Sequence, residues 1–250
     1  MHWDFALILL VAVRLLGRRR VAHLLTLLHT TKLDRLSPYV SPIAGQWFIT
    51  AMIVWRCVVP RTCTSYIVSR IGANVFIYST SVALVILVFF PQLACLRGMT
   101  SHPTELYRSP LQIAFKIFPD NVTELLVVVA LVLTVAVCEE LIYSGFAQAV
   151  FHWSNSILSI VESSVLFSAA HLYEGTRGLA STFVIGLLFA ASVRAWTGSL
   201  GPSIGAHSVA DLTVGLLAPT LIRAALTNKA ASSASGAHHQ RVIPPSQANV

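Results

Sequence analysis

The chain has 250 residues, of which 55% are hydrophobic and only 11% charged, and its mean hydropathy is +0.73. Soluble domains carry about 25% charged residues, so this composition excludes an ordinary soluble domain and describes a polytopic membrane protein. The net charge of +7 comes with no nucleic-acid motif, and retention of Lys and Arg on the cytoplasmic side of a bilayer accounts for it. The expected fold is all-α: a transmembrane bundle of roughly six to eight spans at about 20 residues each, with an amphipathic helix near the N-terminus and a disordered C-terminal tail. Cys57, Cys63, Cys95 and Cys138 show no CxxC spacing and read as free thiols packed as small hydrophobes. No basic stretch precedes the first apolar run, as a cleavable signal peptide would require.

Trp3 to Leu16 is apolar but short for a span. Arg18, Arg19 and Arg20 follow, and Val21, Leu24, Leu25 and Leu28 then fall on one helical face, which predicts an interfacial amphipathic helix broken by Pro38 and Pro42. The next spans are expected over 43–59, stopped by Pro60, and over 71–90, stopped by Pro91. Residues 97–121 read as a polar loop. A central span starts near Val122, and further spans are expected over 157–172, 179–196 and 204–226, with a tight Gly- and Pro-containing connection from Thr197 to Pro202. The chain thus divides into an N-terminal membrane region (1–121, two or three spans plus the interfacial helix), a core (122–226) and a tail (227–250). Seven spans with the N-terminus outside place thirteen of the 17 Lys and Arg inside, leaving Arg56, Arg61, Arg70 and Arg194 outside or at the edge. This predicts a multi-pass protein in contact with lipid, with its C-terminus in the cytoplasm.

The chemistry concentrates in the core. From Leu125 to Val137 there is no charge, and then Glu139 and Glu140 occur side by side. A charge inside a span costs roughly 2.5–3.5 kcal/mol on insertion scales, so such residues face a cavity or a partner. Adjacent helical residues project about 100° apart, so the two acids cannot share one proton; one is expected to face a cavity while the other pairs elsewhere. His171 lies four residues after Phe167, and His207 four before Asp211, so each pair shares a helix face. A glutamate with two histidines matches the donors zinc accepts, which would make Glu139, His171 and His207 the ligands. The same set matches a metal-free base, a water-holding imidazole and an oxyanion donor. No HExxH spacing decides between them. The bland alternative is hydrogen bonds that bridge helices. Glu162, beside Ser163 and Ser164, is assigned such a bridging role, and Glu124 and Glu174 read as solvated span ends.

Three segments in this order resemble a known family. Glu139-Glu140-Leu141-Ile142-Tyr143-Ser144 is similar to an EExxxR motif with Ser144 in place of the arginine, Phe167 to His171 to FxxxH, and His207 to Asp211 to HxxxD. Together with the lead-in from Trp196 to Ala206, they resemble the CPBP intramembrane proteases. That family includes CAAX prenyl endopeptidases and bacteriocin-processing or immunity proteins. The resemblance covers about 122–217 and implies a helical membrane endopeptidase cutting peptides or lipidated peptides, CAAX-type substrates included. It implies that Glu139 activates water, His171 helps to hold it, and His207 and Asp211 stabilise the oxyanion. An ionised Asp211 cannot donate a hydrogen bond, so orientation of His207 is its preferred role. Glu140 is expected to be structural, with Arg194 or Arg177 neutralising it where Ser144 cannot. The missing arginine also raises a non-catalytic reading, a membrane scaffold or immunity-type protein. A transporter is the remaining reading, although no internal repeat supports it.

Overall fold

A computed structural model describes residues 37–58, 75–101, 118–119, 121–151, 156–172, 175–221, 223–224 and 227. The expected first segment (3–16), the interfacial helix and the tail beyond 227 lie outside the described residues. What is described is all-α and membrane-embedded. We number the helices α1 (Ser37–Val58), α2 (Val75–Ser101), α3 (Val122–Glu139), α4 (Ser156–Ala170), α5 (Gly175–Ala191) and α6 (Gly201–Leu212). Three of them widen into π-helix: α3 over Glu140–Ala147, α5 over Ser192–Thr197 and α6 over Thr213–Leu217.

Among the described residues, four helical stretches are long and apolar enough to cross a membrane: Val75–Ala94, Val122–Ala147, Gly178–Thr197 and Gly201–Leu221. The expectation of six to eight spans therefore goes beyond what these residues establish. At 15 residues, α4 covers about 22 Å, less than the roughly 30 Å of a hydrocarbon core. Its expected full span is thus a shorter helix.

Local sequence explains several helix ends. Asn121 caps α3, accepting from the backbone N–H of Glu124 at 2.9 Å while its own amide donates to the Glu124 carboxylate at 2.9 Å. Glu124 is therefore a buried first-turn acid, where the helix dipole favours it, and not the solvated residue the sequence suggests. Between α5 and α6, Gly198 adopts the left-handed conformation (φ 64°) and returns its N–H to the Val193 carbonyl. Pro202 then starts α6, where a missing N–H costs nothing. Two other proline expectations fail, while Pro60 lies outside the described residues. Pro42 lies inside α1, and α2 passes through Pro91 to Ser101, taking up the start of the expected polar loop. In lipid an open backbone end is more costly than the one hydrogen bond a proline removes.

Two buried clusters hold the helices together. Leu84 and Val88 of α2 pack on Phe189 of α5 and on Ala206 and Ala210 of α6; the two alanines, one turn apart, let α2 and α6 approach closely. Ile53 of α1 packs on Ile142, Tyr143 and Phe146 of the π-helical stretch and on Phe167 of α4. Against α5, α4 turns a face of small residues, with Ser159, Ser163, Ser164 and Ser168 buried. Ser168 donates to the Leu179 carbonyl (3.2 Å). Gly186 of α5 sits so close that a Cβ there would lie 3.0 Å from a Phe167 ring carbon. The expected bridge from Glu162 is not seen: its Oε2 is buried with no hydrogen-bond partner among the described residues.

Candidate active site

The carboxylates and imidazoles singled out in the sequence meet between α3, α4 and α6. Glu139 ends the α-helical part of α3, and Glu140 opens its π-helical turn. Such turns widen a helix locally and are frequent at functional sites. His171 follows the last residue of α4, and His207 lies in the second turn of α6.

One ring organises the site. The Nδ1 of His207 is 2.9 Å from Oε1 of Glu140, and its Nε2 is 3.9 Å from Oε2 of Glu139. The two acids leave the helix in different directions, as expected, yet reach the same imidazole at its two nitrogens. His171 completes the set, with Nε2 3.9 Å from the same Oε2 of Glu139. Its Nδ1 is 2.9 Å from the Phe167 carbonyl. A carbonyl only accepts, so Nδ1 carries a proton, and Nε2 is the nitrogen that faces Glu139. The FxxxH spacing thereby acquires a physical meaning. The Phe167 ring also lies against both imidazoles, at centroid distances of 4.8 Å to His171 and 5.7 Å to His207. Phe189 covers His207 from another side at 5.5 Å.

Burial grades these groups. Glu140 is 1% exposed and Glu139 4%, whereas the side chain of Asp211 is 35% exposed. Asp211 lies 3.7 Å from His207 Nε2, too far for a hydrogen bond. The hydrogen bond on His207 goes to Glu140, with Asp211 at ion-pair distance from the other ring nitrogen. Glu140 also accepts from the Ser144 hydroxyl at 2.6 Å, within the range of a charge-assisted bond. Seen this way, the sequence-based view of a motif left deficient by Ser144 is overturned. The cluster of Glu139, Glu140, His171 and His207 is intact, and Glu140 is paired through Ser144 and His207.

One contributor escaped the sequence reading. Gln46 of α1 donates from Nε2 to Oε1 of Glu139 at 3.2 Å. The next residue, Trp47, donates from Nε1 to the Thr134 hydroxyl of α3 at 3.2 Å. The available signal was a Gln and a Thr one turn apart, Gln46 and Thr50, in an otherwise apolar span.

For zinc, the donor chemistry of Glu139, His171 and His207 is suitable but the spacing is not. Two ligands 2.0–2.1 Å from a tetrahedral zinc lie about 3.4 Å apart, closer than either 3.9 Å separation here. Among the described residues no group of three or more His, Cys, Asp or Glu is arranged to hold a metal ion. The residues as placed do not fit zinc, and the metalloprotease expectation gains no support from them.

An acid–imidazole cluster buried inside an all-α membrane protein is the arrangement of a protease-like active site. Residues 121–213 match the family described as Type II CAAX prenyl endopeptidase Rce1-like, and that stretch holds Glu139, Glu140, His171, His207 and Asp211. The match covers less than half of the chain. No curated protein and no solved structure matches it.

Proposed function

We propose that the protein is an intramembrane endopeptidase that hydrolyses peptide bonds in membrane-associated substrates, prenylated CAAX-type peptides among them. The observation that carries this reading is the convergence of two imidazole nitrogens on one carboxylate oxygen, Glu139 Oε2, at 3.9 Å each. A water bound there donates one O–H to Glu139 and the other to the His171 lone pair. Glu139 takes the first proton as the water oxygen attacks the peptide carbonyl, and the carbonyl electrons move onto its oxygen. His207, protonated on both nitrogens, donates from Nε2 to that oxyanion, with Glu140 and Asp211 supplying compensating charge. When the tetrahedral intermediate collapses, Glu139 returns the proton to the departing nitrogen. The C–N bond breaks, leaving a carboxyl and an amine. No step calls on a metal. The C-terminal end lies in the cytoplasm on this reading, as the distribution of Lys and Arg favours.

The test is cleavage of an internally quenched farnesylated CAAX peptide by the purified full chain in liposomes, wild type beside Glu139→Gln. We expect turnover that Glu139→Gln removes and that a chelator leaves unchanged. Stoichiometric zinc by elemental analysis, lost together with activity in His171→Ala, would replace the metal-free route. A wild type as inert as Glu139→Gln would favour the scaffold reading.

A further inference from the structure

Gln46 brings α1, which lies outside the family match, into the centre of the site. It is 8% exposed, and its N–H holds one oxygen of Glu139 at 3.2 Å. With Oε1 of Glu139 held in this way, Oε2 is left to face His171 and His207. The carboxamide oxygen of Gln46 shares a carbon with the donating nitrogen, so it too lies beside the carboxylate. That oxygen is buried and accepts no hydrogen bond among the described residues. One turn further along the same face, the hydroxyl of Thr50, itself 2% exposed, is in the same condition. A buried polar atom without a partner costs about 1–3 kcal/mol, and two on one face beside a reactive carboxylate call for an explanation. Other residues of α1 are exposed, Phe48 and Trp55 among them, while Tyr39 and Ile53 are buried.

We propose that Gln46 positions Glu139, and that the Gln46 carboxamide oxygen and the Thr50 hydroxyl together bind a main-chain N–H of the substrate near the scissile bond. An amide oxygen only accepts, so the ligand must bring a donor. An extended peptide offers an N–H at every non-proline residue; the acyl region of a lipid offers none. This assignment rests on the endopeptidase reading and adds a specificity element to it. The subsite would select a peptide whose backbone is extended and unmethylated at one position.

Steady-state kinetics of the full chain in liposomes test it, using the quenched farnesylated CAAX peptide and analogues N-methylated in turn at each amide within two residues of the scissile bond. Thr50→Val, which is isosteric, should raise KM about 3- to 10-fold with kcat unchanged, the loss of one neutral hydrogen bond. Thr50→Ser should restore it. One N-methylated analogue should show the same penalty with wild type, and Thr50→Val should add nothing to it. Gln46→Glu retains an acceptor oxygen but sets a carboxylate against Glu139. It should lower kcat by about 10- to 100-fold, part of the contribution of a positioned base, with KM little changed. Gln46→Leu should impair both constants. If Gln46→Leu fails to fold by thermal unfolding, Thr50→Val and the methylated series decide alone. Unchanged constants in Thr50→Val and Gln46→Glu, with Glu139→Gln inactive, would overturn the subsite and leave the endopeptidase reading standing. A wild type no more active than Glu139→Gln would remove both.

Discussion

Helices α2 and α3 are built from the same kind of sequence and serve different ends. Both read as spans, with mean hydropathy 1.9 over Val75–Ala94 and 2.6 over Val122–Ala147. Yet only 11% of the first window is buried inside the protein, against 44% of the second. Leu84 and Val88 of α2 are buried against neighbours, while Phe76, Tyr78, Val82, Ile86, Leu87 and Phe90 are exposed. The far end of α3 is enclosed nearly all round, from Ala136 to Gln148. Hydropathy alone does not distinguish a lipid-facing helix from a buried one in a membrane, because lipid and protein interior are similarly apolar. The polar residues an apolar run carries make the difference. None of those in Val75–Ala94 is a charge, whereas α3 ends in two carboxylates that can only be kept where partners surround them.

The sharpest way to break the contrast is to exchange single atoms at the enclosed end. Glu139→Gln removes the proton acceptor while keeping the side chain's shape. Peptide cleavage should fall by about 10²- to 10⁴-fold, with the thermal midpoint little changed. A bulkier alteration on the outward face, Trp55→Leu at a residue 73% exposed, should leave the rate unaltered. Comparable losses in both variants would mean that enclosure does not mark the site.

Glu140→Ala should be the most damaging change to the fold. It strips a partner from a buried imidazole nitrogen and from the Ser144 hydroxyl at once. Breaking a buried pair from one side typically costs about 3–5 kcal/mol. Thermal unfolding should read that loss and the rate should fall with it, whereas Glu139→Gln should separate the two readouts. A stable but inactive Glu140→Ala would show that the two acids have been assigned the wrong way round.

Gly186→Ala tests the packing behind the imidazoles. The added Cβ would lie 3.0 Å from a Phe167 ring carbon and 3.4 Å from the Ser164 backbone, so the ring must shift. Overpacking of this kind costs about 1–3 kcal/mol. Because Phe167 rests on both His171 and His207, kcat should drop as well, by about 10-fold if the rings move by a few tenths of an ångström. An unchanged rate with lowered stability would make Phe167 a core residue only.

Much of this arrangement is legible in the sequence. The later helices fall on predominantly apolar stretches, and four-residue spacings put Phe167 with His171 and His207 with Asp211. The rest depends on relations that spacing does not carry. Pro42 and Pro91 read as stops because the rule that they end helices is learned in water, where a broken backbone can be solvated. Glu140 has no arginine four residues on in the sequence, and its partner lies on a helix 67 residues away. Gln46 is not legible in the sequence because one amide in an apolar helix has no meaning until the chain brings it, across 93 residues, to Glu139.

Ser144 offers the finest test, with the smallest effect. Its hydroxyl lies 2.6 Å from Glu140, and a hydrogen bond to a charged group contributes about 1.5–3 kcal/mol. In Ser144→Ala the carboxylate keeps His207 and loses only this second contact, so the cost should fall at the lower end of that range. The rate should drop less than about 10-fold, since a shift of 1.4 kcal/mol is a factor of ten and only part of the loss reaches the transition state. Ser144→Thr keeps a hydroxyl on the same carbon and should recover most of the stability, provided the extra methyl fits a site that is 3% exposed. If Ser144→Ala matches wild type in both thermal midpoint and rate, Glu140 draws nothing from Ser144. His207 alone would then hold the carboxylate, and a double change with His207→Ala should unfold the protein no further than His207→Ala by itself.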